Sequence, residues 1–139
     1  ETPAAFKEDV NQISDFLYEI TGVRCEFYRF PGGSSNTLVK FDKQELFTIL
    51  QQESLSYYDW NVTSNDAGSV TLSAETIKKN VLNGLEGKND GIVLMHDAAD
   101  KYTTVEALPL ILNELTTDED CVVLPITQGT KRVCHVVSE

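Results

Sequence analysis

Basic residues are scarce in this chain: 11 Lys and Arg stand against 22 Asp and Glu, a formal net charge of -11 over 139 residues. With no basic cluster, the electrostatic footprint of a nucleic-acid or anionic-membrane binder is missing, and neither partner is expected. Long apolar runs are also lacking. Ile92 to Met95 and Cys121 to Leu124 are among the longest, against about 20 residues for a helix that spans a bilayer, so no membrane-spanning segment is predicted. Cysteine is sparse: Cys25, Cys121 and Cys134 stand far apart, which makes neither a zinc pattern nor an even disulfide framework. Buried thiols are the simplest reading. The only histidines are His96 and His135, too few for a His-rich metal site, and no Ser or Cys sits in an activating nucleophile motif. Low-complexity sequence and Pro/Gly linkers are absent too. One domain with one core is expected, since a chain of this length buries about two-thirds of its unfolded surface. The chain starts at Glu1, without Met and within a helical pattern, and is expected to be part of something longer.

What is present alternates between helical and extended patterns. Phe6, Val10, Ile13, Phe16, Leu17 and Ile20 recur at helical spacing, with Thr2 as cap, Pro3 at the first helical position and Gly22 where a left-handed residue closes a helix. Cys25 to Phe30 reads as a strand that stops at the turn cluster Pro31-Gly32-Gly33-Ser34-Ser35-Asn36. Asp42 and Glu45 form a capping box for a second helix ending near Glu53, with Phe41 and Leu46 as a hydrophobic staple. Leu55 to Trp60 reads as a second strand and Asn61 to Ser69 as a loop. Ser73 caps a third helix with the stripe Ile77, Val81, Leu82 and Leu85, ended by Gly87. Gly91 to Met95 has the continuous apolar character of a strand buried on both faces. A fourth helix follows a Thr103 to Glu106 capping box and contains Pro109, which removes one backbone bond. Cys121 to Ile126 and Arg132 to Val137 complete the pattern as strands, this last pair read as antiparallel. Strand starts lie about 30 to 36 residues apart, the size of a βα unit. The expected fold class is α/β, a parallel sheet with helices outside it.

The polar residues that a core does not need collect at the ends of three of these strands: Arg29, then Asp59-Trp60, then His96-Asp97. In parallel α/β folds such ends share one edge, where sites are built from several strands. Asp59 is placed to accept a hydrogen bond from one ring nitrogen of His96, leaving the other N–H to protonate a leaving group as a general acid. The planar fork of Arg29 suits a further carboxylate. Trp60 would wall an apolar pocket, and the Gly32-Gly33 turn leaves backbone N–H groups near a developing oxyanion. This is half of a catalytic site. Asn61-Val62-Thr63 matches a glycosylation tripeptide, a pattern common by chance. Asp97 and Asp100 read as a solvated, helix-capping loop rather than a cation site.

Arg29-Phe30-Pro31-Gly32-Gly33, Tyr57-Tyr58-Asp59-Trp60 and Ile92-Val93-Leu94-Met95-His96-Asp97 together resemble the last three of five motifs of the polysaccharide deacetylases, most of all the peptidoglycan N-acetylglucosamine deacetylases. The resemblance implies the C-terminal part of a distorted (β/α) barrel, and an enzyme that hydrolyses N-acetyl groups from a glycan. It implies His96 as general acid, Asp59 as the residue that orients and charge-stabilises it, and Arg29 holding an Asp base. Trp60 and Leu94 would line the acetate pocket, with the Gly32 N–H binding the oxyanion. The first two family motifs, which supply the Asp base and the metal ligands, do not occur in this sequence. A divalent metal, commonly zinc, is implied for the complete domain with ligands outside this chain, and the isolated chain is expected to be inactive.

An open half-barrel exposes strand edges and an apolar inner face. The expected partner is therefore the missing half or a second copy of this chain, beside the glycan substrate. An extracellular or cell-envelope location is implied by that substrate. The competing expectation is a non-catalytic glycan-binding or interaction module on the same fold.

Overall fold

A computed structural model describes residues 2–37 and 42–138. The chain divides into two compact units, Glu1–Asp59 with Arg132–Glu139, and Trp60–Lys131. Among the described residues no helix is long and apolar enough to cross a membrane.

In the first unit, helix α1 (Pro3–Thr21) starts and stops where local chemistry dictates. The Thr2 hydroxyl accepts the Ala5 N–H, Pro3 occupies the first position, and Gly22 at φ 69° returns its N–H to the Tyr18 carbonyl. Only Phe6 and Val10 of its stripe are buried; Ile13, Phe16 and Ile20 are about half exposed or more. Helix α2 (Lys43–Gln52) is capped by Asp42, whose side chain accepts from Gln44 N, and it buries Leu46, Phe47 and Leu50. The Phe41 half of the expected staple lies outside the described residues.

Strands β1 (Phe27–Tyr28) and β2 (Ser56–Tyr57) pair in parallel, Phe27 with Ser56 and Tyr28 with Tyr57. Both are shorter than the sequence suggests. Their core is largely aromatic: Phe30 packs edge-on against Tyr28, Phe47 and Tyr57 at 5.0, 5.8 and 5.6 Å between ring centroids. Phe47 stacks on Tyr57 at 4.6 Å. Edge-to-face pairs of this kind add about 0.5–1.5 kcal/mol each beyond area burial.

The expected strands Cys121–Ile126 and Arg132–Val137 do not form. Among the described residues the backbone bonding of Cys121–Ile126 amounts to a local turn from Cys121 N to Asp118 O, and without a partner ladder an extended run is not a strand. Residues 132–138 are instead pinned to their unit one bond at a time. Asp59 N donates to Val133 O at 2.8 Å, the Tyr57 hydroxyl donates to Val136 O at 2.7 Å, and Arg132 Nη2 donates to Ser56 Oγ at 2.6 Å.

In the second unit, β3 (Val62–Thr63) pairs in parallel with β4 (Val93–Leu94), Val62 opposite Val93 and Thr63 opposite Leu94. β3 falls in the stretch expected to be a loop, because burial there alternates: Val62, Ser64 and Asp66 point in, Thr63 and Asn65 out. β4 is half-buried rather than covered on both faces.

Helix α3 (Ala74–Leu85), capped by the Ser73 side chain on Thr76 N, packs on α4 (Tyr102–Thr117) through Ile77, Val81, Ala107 and Ile111. Gly84 permits close approach of α3 to β3: a Cβ there would meet Val62 Cγ1 at 2.7 Å. α4 contains Pro109 and begins at Lys101 with no side-chain cap. The expected Thr103 to Glu106 box is unused, and the first-turn residue Thr104 is committed elsewhere.

Candidate active site

Because β3 and β4 run parallel, the residues that follow them leave by the same edge. Ser64 and Asp66 come after β3, and His96 after β4. The Asp66 side chain, 4% exposed, is occupied at both oxygens. Oδ1 accepts from Ser64 Oγ at 2.7 Å and from His96 Nδ1 at 2.7 Å. Oδ2 accepts from the His96 backbone N–H at 2.8 Å and from Thr104 Oγ1 at 2.9 Å. Ser64, fully buried, receives Asn80 Nδ2 from α3 on its carbonyl at 2.9 Å. Burial works to raise the Asp66 pKa, but the hydrogen bonds from His96, Ser64 and Thr104 outweigh it and bring it to about 2. The carboxylate is thus ionised throughout the physiological range and acts as acceptor only. His96 must present a proton at Nδ1, so Nε2 is the atom available for chemistry. Its side chain is 27% exposed, which leaves it open to a ligand.

The carboxylate that faces His96 is therefore that of Asp66, and not that of Asp59 as expected. Asp59, 2% exposed, accepts from Ser34 N at 2.7 Å, Ser34 Oγ at 2.5 Å and His135 N at 2.7 Å. Its pKa is lowered: burial pushes up, and the Ser34 and His135 hydrogen bonds prevail. These contacts make Asp59 the anchor of the turn that follows β1. Ser34 also accepts the Val136 N–H at 2.9 Å, and Lys43 Nζ donates to the Ser34 carbonyl at 2.6 Å. Arg29, exposed, sits at the base of that turn. Gly32 and Gly33 have φ of 71° and 82°, and Gly33 N closes the turn on Phe30 O at 2.8 Å. Trp60 and Leu94 are half-buried and Asp97 is exposed.

Asp66 was missed because Asn61 to Ser69 is polar. The one local signal is the β-branched pair Val62-Thr63; the alternation of Val62, Ser64 and Asp66 lies in their burial and not in their residue types. Among the described residues no group of three or more His, Cys, Asp or Glu side chains is placed to hold a metal ion.

No protein-family model matches the chain. It is 27% identical over 118 residues to YheN of Bacillus subtilis (strain 168), a protein named as a polysaccharide deacetylase, covering 83% of this chain and 39% of that protein. The catalytic domain of a peptidoglycan N-acetylglucosamine deacetylase from Eubacterium rectale superposes with a TM-score of 0.89 at 31% identity, over 99% of this chain and 63% of that one. A CE4 esterase of Streptococcus mutans (TM-score 0.64, 20% identity, 79% and 48% of the two chains) and a polysaccharide deacetylase of Bacillus cereus (0.61, 24%, 77% and 50%) share the fold. The chain spans less than two thirds of each of these proteins. In fold over nearly all of its length, and in sequence over most of it, this chain resembles the polysaccharide deacetylases and matches part of their distorted (β/α) barrel.

Proposed function

We propose that this chain supplies the general-acid portion of a glycan N-deacetylase, acting on N-acetylglucosamine units such as those of peptidoglycan. The observation that carries the reading is the His96–Asp66 pair. A partly exposed imidazole is held by a buried, fully hydrogen-bonded carboxylate at the C-terminal edge of parallel strands, in a chain that superposes on a peptidoglycan deacetylase domain. Amide hydrolysis expels an amine, which leaves far more readily once protonated. In its doubly protonated form His96 delivers that proton from Nε2 and keeps Nδ1–H on Asp66, which fixes the ring and balances its charge. On this reading Arg29 holds a carboxylate base, Trp60 and Leu94 line the acetyl pocket, the Gly32 N–H faces the oxyanion, and Asp59 holds the turn that carries Arg29 and Gly32.

A divalent metal, zinc in the family this chain resembles, would polarise the amide carbonyl. The described residues hold no cluster that fits it, and on this reading its ligands come from another segment or another chain. The missing half of a barrel, or a second copy, is the partner this reading requires, and a glycan substrate places the protein outside the cell or in its envelope.

The test is acetate release from N-acetylglucosamine oligomers by the protein that contains this chain. His96→Ala is expected to lower kcat by about 100-fold or more and chelation to abolish release. Oligomer binding with no release would favour a non-catalytic glycan-binding module instead.

A further inference from the structure

The Asp66 carboxylate is held by donors of different origin. Ser64 lies two residues away on the same segment and moves with it, and both His96 donors belong to the residue being positioned. Thr104 comes from α4, a separate element, and its hydroxyl reaches Oδ2 at 2.9 Å from a side chain that is 4% exposed. A second contact reinforces the link: Lys101, at the start of the same helix, donates from Nζ to the Gly68 carbonyl at 3.2 Å. The start of α4 thereby grips the segment at Asp66 and again two residues beyond it. It also sets a carboxylate against the first turn of a 16-residue helix, where unpaired N–H groups favour negative charge.

We propose that Thr104 is a positioning residue for His96, acting through Asp66, and that it locks the neutral imidazole in the Nδ1–H tautomer. This deepens the general-acid reading of His96 and rests on it for its catalytic meaning. With Thr104 in place, Oδ2 has two donors and Oδ1 is turned squarely to Nδ1. Without the hydroxyl, Oδ2 keeps only the His96 N–H in a site closed to water. The carboxylate then turns to share its donors. Nδ1 loses its fixed acceptor, and the ring relaxes towards the Nε2–H form that free histidine prefers.

The test is nitrogen NMR of the imidazoles in the uniformly labelled chain, about two pH units above the ordinary histidine range. The expected result is Nδ1–H at His96 in the parent and an approximately tenfold fall in the Nδ1–H to Nε2–H ratio in Thr104→Val, the low end for one hydrogen bond to a charged group. Thr104→Ser keeps the hydroxyl and should keep the parent ratio. An unchanged ratio in Thr104→Val, or a fall in Thr104→Ser, overturns the proposal. Should Thr104→Val not fold, Thr104→Ala against Thr104→Ser makes the same comparison, and equal ratios there overturn it too. The readout needs no turnover. Failure of the parent to release acetate would remove the general-acid reading, while the tautomer response would still support the clamp.

Discussion

His96 Nδ1 lies 2.7 Å from Asp66 Oδ1, thirty residues away in sequence, and the backbone N–H of His96 reaches the other oxygen of the same carboxylate at 2.8 Å. One residue thus binds one carboxylate twice, through ring and main chain. That pairing fixes the ring plane relative to β4 and leaves Nε2 as the nitrogen turned away from the carboxylate.

Replacing the two candidate carboxylates separates their roles. Asp66→Asn removes the charge opposite His96, and about a 100-fold loss of kcat is expected, with little change in KM. Asp59→Asn leaves the His96 nitrogen shifts as they are, because the Asp59 oxygens serve Ser34 and His135. Altered His96 shifts in that variant would return the orienting role to Asp59.

Acid should destabilise the fold in a defined window. The folded pKa of Asp66 is depressed to about 2 from an ordinary 3.8. Its contribution is therefore complete above the ordinary value and disappears as pH falls through the folded one. Between about pH 4 and pH 2 roughly 2 kcal/mol should be lost from this group, and the lowered Asp59 acts in the same direction. Urea midpoints across that range measure it. An Asp66→Asn variant with an undiminished acid loss would show that other groups are responsible.

Ser34 joins three segments, since it is tied to Asp59 and also accepts Val136 N at 2.9 Å. Ser34→Ala leaves a buried carboxylate short of a donor and a backbone N–H short of an acceptor. A cost of about 2–3 kcal/mol is expected in chemical denaturation, together with faster amide exchange at Val136. Protection at Val136 equal to the parent would contradict this.

The contact between α3 and β3 predicts that Gly84→Ala destabilises despite better helix propensity. The added Cβ would meet Val62 Cγ1 at 2.7 Å. Overpacking costs about 1–3 kcal/mol against about 1 kcal/mol gained from propensity. Combining it with Val62→Ala should recover part of the loss, and a double-mutant cycle reads the coupling; strict additivity would dismiss the clash.

Much of this protein was legible from short-range chemistry. Thr2, Pro3, Gly22, Asp42 and Ser73 mark helix ends in the sequence and mark them in the fold, because caps satisfy backbone groups within three or four residues. The Gly32-Gly33 turn was likewise marked by residue type, and both glycines take the left-handed backbone there. What local pattern does not carry is pairing. Whether Cys121–Ile126 is a strand depends on a neighbour it does not meet among the described residues, and whether α1 buries Phe16 depends on what covers it. The choice between Asp59 and Asp66 as partner of His96 turned on the register Val62 with Val93. That register carries Asp66 and His96 out of one sheet edge, and a first-turn threonine of α4 completes the carboxylate. The sequence alone determined the helices and their ends; tertiary structure decided which extended runs pair and which carboxylate meets the imidazole, because a buried charge goes where enough donors converge to hold it.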